Sequence, residues 1–121
     1  MSAFQIALDR QRYAPGETVS GVVTVAEPLK SRTIEVFLNY REETDDYKEI
    51  GWSAGSGPLH EGRAEAGQTL RFSIQLPPDA LPAHQSANGR LYWEVDVKSD
   101  ERGLDTHGRF ALDVQPARLM A

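Results

Sequence analysis

Apolar and polar residues alternate with a period of two along most of this 121-residue chain. In FQIALD, Phe4, Ile6 and Leu8 fall on one side and Gln5, Ala7 and Asp9 on the other. TVSGVVTV places Val19, Val23 and Val25 together with Gly21 between them, and TIEVFLNY does the same with Ile34, Val36, Leu38 and Tyr40. LRFSIQL aligns Leu70, Phe72, Ile74 and Leu76. LYWEVDV sets Leu91, Trp93, Val95 and Val97 against Tyr92, Glu94 and Asp96, and FALDV aligns Phe110, Leu112 and Val114. Strict alternation marks a strand with one face buried and the other in water. A slip of one residue turns the apolar set outward, so each register is well specified. A seventh, weaker strand is predicted near residues 47–54. No window of ten residues carries a helical period, and residues 78–87 have room for a single helical turn at most.

Turn chemistry separates these segments. Pro15-Gly16 and Pro28 break the first part of the chain, Gly55, Gly57 and Pro58 interrupt the middle, and Pro77, Pro78 and Pro82 stiffen a connection that Asn88-Gly89 follows. In RYAPGETVSG, Pro15 fixes φ and Gly16 supplies the positive φ of a type II turn. A phosphate cradle needs a glycine-rich run ending in Gly-Lys-Ser/Thr at the start of a helix, which this stretch lacks. Seven to eight half-buried strands with Pro/Gly corners predict an all-β fold, a two-sheet antiparallel β-sandwich of immunoglobulin-like type. The expected organisation is one domain over residues 1–116 and a short frayed tail at 117–121.

Three blocks in order resemble the arrestin-like β-sandwich family. They are FQIALDRQRYAPGETVSGVVTV, TIEVFLNYRE and AGQTLRFSIQLPPDALPAHQSANGRLYWEVDVKSD. The last looks like the family's strand ending in a Leu-Pro step, its proline-containing loop and a strand with an aromatic pair. Full arrestins join two such sandwiches, and this length has room for one, resembling the N-terminal lobe. Relatives of that fold include a retromer cargo subunit and bacterial sporulation-control proteins. The resemblance implies non-catalytic work: scaffolding, or regulation by docking a protein or peptide partner.

Composition narrows the alternatives. Hydrophobic residues make up 40% and charged residues 26%, which is globular rather than disordered. A net charge of −5 argues against general affinity for nucleic acid. No apolar run approaches the roughly 20 residues of a membrane span, and the N-terminus does not read as a signal peptide. The absence of cysteine removes thiol catalysis and disulfides and fits a reducing compartment, so a cytoplasmic location is expected. His60, His84 and His107 never fall two or four residues apart, and read as surface loop residues rather than metal ligands. Ser20, Ser73 and Ser86 lack a nucleophile-elbow setting. No catalytic residue, metal ligand or cofactor is therefore assigned, and the chain is not expected to be an enzyme. The rival reading is a calcium-dependent ligand- or membrane-binding module using two acidic turns, residues 42–46 and 99–105. These lack the regular spacing of a dedicated calcium loop, and in an immunoglobulin-like topology they fall at opposite ends.

The expected partner site is an edge strand or sheet face. Unpaired N–H and C=O groups at an edge accept extended peptides, and the same edges can build a homo-oligomer. YKEIGWSAGSG offers Tyr47 and Trp52 as aromatic anchors, although Trp52 also suits a cap on the core. Phe37 lies opposite the apolar face of its strand and is a third candidate. Tyr92 is a weaker surface candidate, and Trp93 belongs to the core.

Overall fold

The computed structural model describes residues 2–115; the tail assigned to 117–121 lies outside them. Among the described residues no segment is helical. The strands are β1 (Phe4–Leu8), β2 (Arg12–Tyr13), β3 (Thr18–Val25), β4 (Ser31–Thr44), β5 (Lys48–Glu61), β6 (Thr69–Gln75), β7 (His84–Ser86), β8 (Gly89–Glu101) and β9 (Thr106–Val114). Each firm alternating segment of the sequence became a strand. The strands beyond the expected seven or eight are short pieces such as β2 and β7, too brief for a periodic signal.

One sheet has the order β1-β3-β6 and the other β2-β9-β8-β4-β5, with β7 pairing β8. The chain passes back and forth between them, so successive apolar faces meet in one layer. That layer holds Phe4, Val19, Val23, Leu70 and Phe72 from the smaller sheet and Ile34, Val36, Leu38, Trp93, Val95 and Val97 from the larger. The pairing is antiparallel except for β2, which runs parallel to β9. The Ala14–Glu17 turn carries the chain from β2 in one sheet to β3 in the other. Its Glu17 N–H donates to the Ala14 carbonyl at 3.1 Å, and Gly16 has φ of 83°. Both are features of the expected type II turn.

Two expectations need correction. Gly55, Gly57 and Pro58 do not end the seventh strand; β5 runs through them to Glu61. β5 is the outermost strand of its sheet and pairs only with β4, so the missing Pro58 N–H costs no central ladder bond. The strand absorbs the irregular residues in register shifts opposite Ile34–Phe37 and Tyr40–Arg41, with Gly57 at φ of 78°. The proline-rich connection stays within the single turn allowed for it, with the Ala80 N–H donating to the Pro77 carbonyl at 3.1 Å, and leads into β7. The three histidines lie in strands β5, β7 and β9 rather than in loops.

Candidate functional site

Alternation puts Glu94 and Asp96 on the solvent face of β8, yet they are only 3% and 6% exposed. Neighbouring side chains cover them. Asn39 Nδ2 and Arg41 Nη1 each donate to Glu94 Oε2 at 3.0 Å, and Ser53 Oγ donates to Asn39 Oδ1 at 2.6 Å. His107 Nδ1 donates to Asp96 Oδ1 at 2.9 Å, with Arg109 Nε 3.5 Å from Oδ2. Phe37 pairs across the sheet with Asp96 and Gly55, and a Cβ built on Gly55 would stand 3.1 Å from the Phe37 ring. Phe37 is therefore half-covered, lying over a glycine inside a closed charge network. His60 is likewise occupied: Gln68 Nε2 donates to its Nδ1 at 2.9 Å, which leaves its Nε2–H to donate to the Arg63 carbonyl at 2.8 Å.

The opposite face of the same sheet ends differently. Tyr40 on β4 pairs with Trp52 on β5 and with Trp93 on β8, so three aromatic residues make one row at the mouth of the sandwich. The Tyr40 and Trp93 rings are 4.8 Å apart, and Trp52 meets Trp93 edge-on at 5.6 Å. The connection after β6 crosses this row and is pinned to it. Trp93 Nε1 donates to the Leu81 carbonyl at 2.7 Å, and the Tyr40 hydroxyl donates to the Pro82 carbonyl at 3.3 Å. Between connection and aromatics lies an open groove of about 310 Å³, lined by Tyr40, Trp52, Trp93, Pro77, Asp79 and Leu81. Leu81 is 59% exposed at its rim.

The groove adjoins the free side of β5, a fourteen-residue strand with no buried residue. Near its end β5 closes on the other sheet, because Leu59 packs against the core and His60 reaches Gln68 next to β6. Residues 48–57 are the open stretch. Tyr47 sits at the turn before it, 48% exposed, and its hydroxyl donates to Glu42 Oε1 at 2.9 Å. That hydrogen bond, then slight burial and the Glu42 and Glu49 charges, holds the Tyr47 phenol above its ordinary range. Burial first, and the Glu42 charge second, raise the Tyr40 phenol too.

The structure thus brings Trp52 and Tyr47 to one end of β5 and sends Phe37 to the other face. Trp52 both touches the core and lines the groove. Tyr92 is half-buried, its hydroxyl donating to Glu43 Oε1 at 2.8 Å. Tyr40, Asp79 and Leu81 were not singled out from sequence. One signal was available: the apolar stripe of β4 ends in an amphipathic tyrosine directly before charged residues, which is where a buried face meets a rim. The acidic turns do lie at opposite ends, since Thr44 pairs with Gly89 and Ser31 with Glu101 along β8. Among the described residues no three His, Cys, Asp or Glu side chains gather to hold a metal ion.

No family model matches the sequence, and no curated protein matches it. Solved structures do resemble the fold. Spo0M, the sporulation control protein of Bacillus subtilis, superposes with a TM-score of 0.64 at 20% identity, over 93% of this chain and 48% of that one. The chain therefore spans about half the length of Spo0M. The C-terminal domain of wzt superposes with a TM-score of 0.56 at 10% identity, over 99% of this chain and 77% of that one. At these identities the likeness shows a shared β-sandwich fold.

Proposed function

We propose that this chain is a non-catalytic interaction module of the arrestin-like kind, acting in regulation or as a scaffold by docking a protein or peptide. The observation that carries the reading is the open stretch of β5 beside a preformed aromatic groove. An edge strand gives a partner main-chain hydrogen bonds, and an adjacent pocket gives it side-chain selectivity. The likeness to a sporulation control protein and the arrestin-like order of sequence motifs support the same reading by analogy of fold. We place the module in the cytoplasm, in keeping with a chain free of cysteine.

The experiment is affinity capture from the native host with the wild-type chain and with Leu81→Ser. Leu81 is exposed and contributes only its backbone carbonyl to the Trp93 bond, so the variant should melt with the wild type. Partners captured by the wild type and lost from Leu81→Ser support the reading. The same partners captured equally by both, or none from either, contradict it.

A further inference from the structure

The groove has aromatic walls and one carboxylate among its lining residues, Asp79. Asp79 is exposed and has no ion pair among the described residues, although many of the chain's acids do. Glu43 holds Arg90, Glu94 holds Arg41, Asp9 holds Arg71, and Asp96 holds His107 and Arg109. Two residues beyond Tyr40 on the same face of β4, about 7 Å along the strand, comes Glu42. It pairs directly across the ladder with Glu49 of β5. Like charges placed opposite one another in a sheet repel, and neither carboxylate has a cation within ion-pair distance among the described residues. The Glu42 charge adds to the rise of both phenols, behind burial at Tyr40 and behind the Glu42 hydrogen bond at Tyr47.

Resting on the docking function proposed above, we infer that the groove takes a basic side chain, arginine above all, from an extended peptide lying along β5. Charge complementarity selects this occupant. A guanidinium stacks on aromatic faces and pairs with a carboxylate at once, so Tyr40, Trp52 and Asp79 engage one side chain together. It also relieves the repulsion between Glu42 and Glu49. An apolar side chain in its place strips water from Asp79 and returns nothing. The groove is built before the partner arrives, because loop carbonyls already hold Tyr40 and Trp93. The half-buried Trp52 indole N–H has no partner among the described residues, so it is available to a peptide carbonyl.

The test uses acetylated, amidated heptapeptides of alternating threonine and glutamine, with arginine, norleucine or glutamate at the fourth position. Each is titrated into the ¹⁵N-labelled chain, following the Trp52 indole cross-peak and the β5 amides. The arginine peptide should bind about tenfold more tightly than the norleucine peptide, the value of one exposed cation–π contact with an ion pair. The glutamate peptide should bind most weakly. Asp79→Asn combined with Glu49→Gln, both at exposed positions, should remove the arginine preference and leave the melting temperature unchanged. If norleucine binds as well as arginine while the β5 amides still shift, the inference is wrong and the docking reading stands. If no peptide moves the β5 amides, both are wrong.

Discussion

Two tryptophans with opposite duties sit one ring apart. Trp93 is enclosed by both sheets, and its indole N–H is satisfied by Leu81. Trp52 is half-buried and meets Trp93 through its edge. Trp93→Ala should therefore cost about 3–5 kcal/mol in denaturant unfolding, the range for an enclosed aromatic. Trp52→Ala should cost about 2 kcal/mol, nearer half of it, because part of the ring stays in solvent. Equal losses would show Trp52 to be core and nothing else. Trp93 was legible from sequence because it falls in an apolar series at period two. Trp52 was legible only as an aromatic in a weakly patterned stretch, since its exposure depends on a loop twenty-five residues later. The burial of Glu94 and Asp96 could not be read at all. It is created by Arg41, Asn39, His107 and Arg109, which reach them from other strands.

At the scale of the element, the alternating segments foretold β1, β3, β4, β6, β8 and β9 and their core-facing sides. They foretold β5 only in part, as a weaker strand near residues 47–54 that in fact runs on to Glu61, because a strand at a sheet edge can carry glycine, proline and bulges that a central strand rejects. Glycine also has a second meaning in this sheet. Gly21 on β3 lies opposite Leu8, where a Cβ would stand 2.5 Å from the Ala7 carbonyl oxygen and 3.0 Å from the Leu8 Cα. An alanine in an ordinary strand gains about 0.5–1 kcal/mol over glycine. Here the contact is with backbone that cannot swing aside, so the steric term wins. Gly21→Ala should destabilise the chain by about 1–3 kcal/mol. A neutral or stabilising result would mean that β1 lies farther from β3 than described. Amide exchange separates the strands in another way. Amides of β4 and β8, paired on both sides, should exchange slowest, and those of residues 48–57 that do not bond to β4 should exchange fastest within the larger sheet.

Acid stability is a property of the whole molecule, because its perturbed carboxylates are spread over both sheets. The Tyr92 hydroxyl first, and then Arg90, hold Glu43 below its ordinary value. Ser20 and then Arg71 do so for Asp9, and the Glu101 backbone N–H does so for Asp105. A carboxylate whose folded pKa is depressed contributes stability that is complete above its unfolded pKa. That contribution disappears as pH falls through the lower, folded value. The chain should accordingly hold its melting temperature above the ordinary values of 4.5 for glutamate and 3.8 for aspartate and lose it progressively below them. Glu43→Gln should make that decline shallower; an unchanged slope would show that Glu43 is not held by its partners in solution.

The proposal that β5 is the docking edge is tested most directly by hydrogen–deuterium exchange of the chain, alone and with a partner recovered by capture. New protection should concentrate in residues 48–57 and in the Pro77–Leu81 connection, with β1, β3 and β6 unaffected. Protection spread over β1, β3 and β6 while residues 48–57 exchange as before would contradict it.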